Sequence, residues 1–179
     1  VKFSDGSKMT SADVVFSVLR AKQRTSDFKE YISTISGVEA VGDYSVKIMT
    51  SKPNPILLNQ LSNIFIMSKA WSEKNFAMSP QNWDAGQETF SATNALGTGP
   101  FRITLREPNT KTVFKRNKHW WGEMTDKKVT QIELLPIKNA ATRVAALLSG
   151  EIDLVTDAPV QDLKRIRSSS AHKVESTPQ

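Results

Sequence analysis

Apolar residues first recur at helical spacing in MTSADVVFSVLRAKQ, where Ala12, Val15, Phe16 and Leu19 share one face of a predicted helix. Thr10 stands as its N-cap, and Asp13, three residues on, as the acid of a capping box. Ahead of it, Phe3-Ser4-Asp5-Gly6 reads as a strand end turning on Asp-Gly. In VEAVGDYSVKIMT two β-rich runs flank Gly42-Asp43, which predicts a hairpin with a two-residue loop. NPILLNQLS, behind Pro53 and Pro55, is a short apolar helix, and NIFIM is a buried strand-like run. From Ser72 to Ala95 the pattern dissolves into polar, aromatic and proline residues, so a short helix and an irregular loop are expected there.

Regular alternation returns at Phe101, Ile103 and Leu105, which fall on one sheet face; Glu107-Pro108-Asn109-Thr110 turns the chain and Thr112 to Lys115 brings it back. VTQIELLPI supplies another strand, and AATRVAALLSG a helix capped by Asn139 and closed by Gly150. EIDLV reads as a strand, APVQDLKRIRSS as a helix with proline in its first turn, and HKVEST as a last strand. Hairpins interspersed with strand-helix-strand units predict the α/β (mixed α+β) class, a mixed β-sheet with hairpins and flanking helices. Neither an internal repeat nor a linker interrupts the 179 residues, which therefore read as one unit.

Composition narrows the function classes. The chain is 39% hydrophobic and 23% charged, and it has no apolar run near the length needed to span a bilayer. Zero cysteines exclude disulfides, thiol nucleophiles and thiolate metal sites. A net charge of +6 would suit an acidic partner, yet the basic residues are dispersed among acids. Only 111–128 is locally rich, with Lys111, Lys115, Arg116, Lys118, Lys127 and Lys128. No nucleic-acid motif accompanies it, so it reads as a solvated hairpin and no nucleic-acid partner is expected. The chain opens at Val1-Lys2-Phe3, and any targeting segment is expected upstream of it.

Candidate chemistry is sparse. Gly97-Thr98-Gly99-Pro100 resembles a phosphate loop, but a dinucleotide fingerprint needs a third glycine where Arg102 stands and a helix where a strand is predicted. Ser26-Asp27-Phe28-Lys29 fits a serine-x-x-lysine pattern without its companion motifs. His119 and His172 stand far apart with no carboxylate at ligand spacing, and Glu151 and Asp153, on one face of a predicted strand, read as strand charges rather than an acid-base pair. Aromatic residues are the remaining signal: Phe28 and Tyr31 after the first helix, Trp71 and Trp83 around the irregular segment, and the pair Trp120-Trp121. No catalytic residue, metal ligand set or cofactor site emerges.

Five segments in order carry a resemblance. FSDGSKMTSADVVFSVLRA, GVEAVGDYSVKI, GTGPFRI, FKRNKHWWG and IELLPIKNAATRVAALLSGEIDLV together resemble the extracytoplasmic solute-binding proteins of bacterial ABC transporters, specifically the family (family 5) that serves oligopeptides, dipeptides and nickel. The resemblance implies ligand binding between two hinged lobes. It places residues 1–179 as a single internal fragment of lobe I of a type II-like periplasmic-binding-protein fold, with the second lobe absent. Gly97, Gly99 and Pro100 match a structural turn, so the glycines are expected to serve the hairpin's entry; Asn117, Trp120 and Trp121 match its exit. Asn139, Arg143, Gly150 and Asp153 match a helix-strand unit that leads toward the hinge.

Function follows from the resemblance as expectation: non-catalytic capture of a peptide or peptide-like solute, without a cofactor or metal, in partnership with an ABC transporter membrane permease. The implied location is periplasmic, or extracytoplasmic and lipid-anchored. An excised lobe would expose edges and self-associate. The alternative is a ligand-sensing domain of the same fold attached to a transcription regulator. Phe28 and Tyr31, and Phe65 and Ile66 in the apolar run after the second helix, occupy segments that resemble those approaching the cleft in family members, and are the expected ligand-facing residues. Core packing competes with that role, above all for Ile66.

Overall fold

Asp13 starts α1 (Ser11–Ala21) as its spacing predicts: its carboxylate accepts the Thr10 N–H at 2.8 Å and the Thr10 hydroxyl at 3.1 Å. The computed structural model to which this helix belongs describes residues 1–86, 88–123 and 128–176. The chain forms two units, residues 1–134 and 135–179.

The buried face of α1 is rotated from the predicted one. Phe16, Val18 and Ala21 are buried with Asp13 and Ser17, whereas Leu19 is 51% exposed. Asp13 and Ser17 turn inward because each has work there, as does Ser11. The second Asp13 oxygen accepts the Lys69 N–H at 2.8 Å, and the Ser17 hydroxyl accepts the Met67 N–H at 2.8 Å while donating to the Asp13 carbonyl at 2.7 Å. Buried polar groups so bonded are tolerated in a core, and an apolar pattern cannot reveal them.

Val18 and Ala21 pack with Ile32, Ile35 and Ile64, flanked by Val38, Ile48, Leu57 and Leu61. Apart from Ile64, which follows α2, these partners come from a 3-10 turn (Lys29–Ile32), the antiparallel strands β1 (Ile35–Gly42) and β2 (Ser45–Thr50), and the short helix α2 (Leu57–Leu61). The β1–β2 loop is Asp43-Tyr44, one residue later than predicted, because Gly42 still pairs with Ser45. Ser11 fixes this tip: its N–H donates to the Asp43 carbonyl at 2.8 Å and its hydroxyl to that of Gly42 at 2.5 Å.

NIFIM is extended but pairs with no strand among the described residues. The irregular segment behind it holds α3 (Lys69–Lys74) and a 3-10 turn (Phe90–Ala92). Arg20 binds it to α1, donating from Nε to the Ala77 carbonyl at 3.1 Å and from a terminal nitrogen to that of Ser79 at 2.9 Å. Partial burial of this guanidinium lowers its basicity.

A second sheet, β3-β4-β5, runs from β3 (Phe101–Glu107) through β4 (Lys111–Arg116) to β5 (Gln131–Leu134), all antiparallel. Asn109, at φ +61°, makes the β3–β4 turn in the left-handed region that asparagine tolerates. The predicted alternation fails midway, since Ile103 opposes Phe114 and Leu105 opposes Val113, leaving Thr104 as a bulge. Ile103 and Leu105 therefore lie opposite successive residues of β4 and not on one face.

Asn117 closes the foot of this hairpin. Its N–H donates to the Pro100 carbonyl and its amide nitrogen to the Gly99 carbonyl, each at 2.8 Å, while its side-chain oxygen accepts the His119 N–H at 2.9 Å. The Gly97 carbonyl accepts the Ser4 N–H at 2.9 Å. What the stretch contributes is carbonyls: neither Gly97 nor Gly99 has positive φ, and a Cβ at either would meet nothing nearer than 3.8 Å. The glycines thus stand at the hairpin's entry, and the backbone there needs no special angle. At Gly122 the need is spatial, since a Cβ there would stand 2.6 Å from the Trp120 ring.

In the second unit α4 (Ala140–Ser149) is capped by Asn139, which accepts the Thr142 N–H at 3.0 Å, and closed by Gly150 at φ +78°. Val144 and Leu147 of α4 pack on Ile166 of α5 (Leu163–Arg167), which a 3-10 turn (Val160–Asp162) precedes. The predicted strands at 151–155 and 172–176 are absent; Thr177 lies outside the described residues. Ile152, Val155 and Val174 pack instead against the helical core, and no described strand offers their backbone a ladder. The unit is tied by side chains. Arg143 donates to the carbonyls of Ile137 (2.8 Å), Lys138 (3.0 Å) and Asp157 (3.2 Å). His172 Nε2 donates to the Leu147 carbonyl at 2.9 Å, which leaves Nδ1 to accept the Ser169 hydroxyl, also at 2.9 Å. The mixed α and β content is as expected, with every strand pairing among the described residues antiparallel.

Candidate ligand-binding site

Three of the four expected ligand-facing residues meet on the surface. Phe28 stands at the start of the 3-10 turn Lys29–Ile32 and Tyr31 lies within it. Side chains three apart on a 3-10 turn eclipse one another, so these two rings share a face while Ile32 enters the core fully buried. Their centroids are 6.3 Å apart. Phe65 belongs to the extended run after α2, where alternation sends Ile64 into the core and Phe65 outward. Its ring meets Phe28 edge-on, with centroids 6.4 Å apart and planes at 86°. Ile66 is half-buried beside it.

Exposure separates this cluster from core. Phe28 is 40% exposed, Tyr31 43% and Phe65 76%, an apolar surface that a ligand or another part of the protein could cover. Phe28 also borders a cleft of about 170 Å³ that Arg20, Asp27 and Trp83 line. Trp83, which the sequence placed only at the rim of the irregular segment, thus shares a cleft with Phe28.

The remaining motifs have structural occupations. The Ser26 hydroxyl accepts the Phe28 N–H at 3.2 Å, and Lys29 donates to the Arg24 carbonyl at 3.0 Å, so the serine and lysine each serve the turn. A Cβ on Gly6 would stand 3.0 Å from the His119 ring. Burial would raise the Asp5 pKa, but hydrogen bonds from the Ser7 hydroxyl and N–H, aided by the His119 charge, hold it below the ordinary carboxylate value. Glu151 and Asp153 lie on no strand and so share no sheet face. In the basic stretch Lys115 and Lys118 are exposed and Arg116 donates to the Val129 carbonyl at 2.7 Å; Lys127 lies outside the described residues. Among the described residues no cluster of three or more histidine, aspartate or glutamate side chains could hold a metal ion, and no helix is long and apolar enough to cross a membrane.

Several proteins of similar sequence are named as binding proteins. The nickel-binding protein NikA of Staphylococcus aureus is 27% identical over 174 residues, covering 97% of this chain and 32% of its own length. The periplasmic murein peptide-binding protein MppA of Escherichia coli is 25% identical over 198 residues, covering 99% of this chain and 35% of its own. The fold is shared with NikZ from Campylobacter jejuni, solved in complex with Ni(L-His), at a TM-score of 0.77 and 24% identity over 95% of this chain and 32% of that one. The chain therefore spans about a third of the length of the curated relatives it matches. The sequence profile of the bacterial extracellular solute-binding proteins, family 5 Middle, matches residues 1–179, and the chain belongs to that family.

Proposed function

We propose that the chain is part of the first lobe of a two-lobed receptor outside the cytoplasmic membrane, in the periplasm or held by a lipid anchor. This receptor captures a peptide-like solute or a nickel chelate and hands it to the membrane permease of an ABC importer. The observation that carries the reading is the family match along residues 1–179. The ligand class comes from what the relatives are named for, nickel in one and murein peptide in another. Nothing in their names supports attachment to a transcription regulator. Capture is non-catalytic in this reading: closure of lobes on a ligand makes and breaks no covalent bond.

In the same reading Phe28, Tyr31 and Phe65 form an aromatic wall toward the ligand, with Ile66 as its backing. Supporting it is the convergence of three rings from two separate segments while all remain substantially exposed. In the full-length protein, calorimetric titration with di- and tripeptides and with the nickel–histidine chelate should give saturable heat for one class. Tyr31→Ala should weaken that binding about fivefold, the worth of one aromatic contact, with little change in unfolding midpoint. Lost stability with unaltered affinity would assign Tyr31 to packing, and no heat from either class would sink the receptor reading.

A further inference from the structure

A second cleft, of about 440 Å³, opens within the first unit between α3, the 3-10 turn Phe90–Ala92 and β3. Its size falls within the roughly 300–1,000 Å³ typical of small-molecule sites. It shares no residue with the Phe28–Tyr31–Phe65 cluster. One wall is aromatic: Trp71 and Phe90 stand with ring centroids 5.6 Å apart, inclined at 48°. The polar lining includes two cations, Lys74 and Arg106, and no carboxylate.

Arg106 is held in place before any ligand arrives. Its Nε donates to the Ala92 carbonyl at 3.2 Å and its Nη1 to the Thr112 hydroxyl at 3.1 Å, which leaves Nη2 without an acceptor among the described residues. Lys74 makes no ion pair among the described residues and stands in the last turn of α3. A guanidinium fixed on two sides with donors to spare, an exposed ammonium and an adjacent aromatic wall complement an anion that carries an apolar substituent. We propose that this cleft is a distinct binding site for a small carboxylate, with the carboxylate on Arg106 and Lys74 and its apolar substituent against Trp71 and Phe90.

A free monocarboxylate and the C-terminal residue of a peptide offer the same chemistry. Calorimetric titration of the full chain with phenylacetate, neutral phenylacetamide, Gly-Phe and Gly-Phe amide separates them. At least one acid should bind about tenfold more tightly than its neutral counterpart, as charge-assisted hydrogen bonds require. Gly-Phe binding that Arg106→Gln abolishes assigns a peptide terminus to this cleft, and Arg106-dependent binding of phenylacetate alone assigns a free acid. Lys74→Gln, an exposed change outside the core, should weaken that binding a few-fold, and Arg106→Gln should remove it. Equal affinity for acid and amide, unchanged affinity in both cation variants, or no saturable heat from any probe would overturn the site.

Discussion

Phe76 occupies the position where a glycine ordinarily ends a helix. After α3 the Ala77 N–H returns to the Ser72 carbonyl at 2.8 Å and the Phe76 N–H to that of Glu73 at 3.4 Å, the bond pair of a Schellman motif. Phe76 is its left-handed residue, at φ +54°, and its side chain is 92% exposed. The backbone is strained and the ring gains no burial in return. Phe76→Gly should therefore raise stability by about 0.5–1 kcal/mol, read as a shift of the urea midpoint at constant slope. A fall in midpoint would mean that the phenyl ring has a packing role its exposure conceals. No apolar pattern reveals such a residue, because left-handed geometry arises from the bonds that close the helix. At Gly97 and Gly99 the sequence marked the entry of the hairpin but not its backbone angles, which are ordinary. Tyr31 was more legible, since its spacing from Phe28 decides a shared face once the turn is known to be 3-10.

At the scale of elements, Asp13 joins two pieces of structure. One oxygen caps α1 and the other holds the start of α3, all at 7% exposure. Asp13→Ala should cost about 1–2 kcal/mol, because it removes a cap and the partner of the Lys69 N–H. Thermal unfolding would measure the loss, and a cost under about 0.5 kcal/mol, the size of an ordinary surface change, would show that water replaces the carboxylate. The capping role was readable from Thr10 and Asp13 because caps are local. The bond to Lys69 was not, since it joins residues 56 apart in sequence. Strands at 151–155 and 172–176 failed for a related reason: their apolar residues suit a strand or a helix-packed loop equally well, and only a partner strand decides.

For the molecule as a whole, the order of five modest segments disclosed the family where no single motif could. Edges follow from the same length relation, since the chain spans about a third of its curated relatives. β5 pairs only with β4 among the described residues, and Ile132 and Leu134 on it are 42% and 56% exposed. A free edge bearing apolar side chains is a template for further strand pairing. The isolated chain should therefore associate as its concentration rises, with light scattering exceeding the monomer value. Charge placed on that strand, as in Leu134→Lys, should suppress the association, and a strict monomer at millimolar concentration would contradict the prediction.

The hydrogen bonds of Asn117 at the foot of the β3–β4 hairpin bear on which changes of chain length the hairpin can accept. With Gly99 and Pro100 held on one side and His119 on the other, the two strands leave a fixed mouth, and a residue gained or lost by one strand must be absorbed before the tip. β3 already carries one more residue than its partner, taken up at Thr104. Deletion of Thr104 should then leave a folded protein, because every other pair keeps its neighbour and the ladder merely becomes regular. Deletion of Lys115 widens the same mismatch to two and should unfold the hairpin, so a deletion scan of this region would show tolerance on one strand alone.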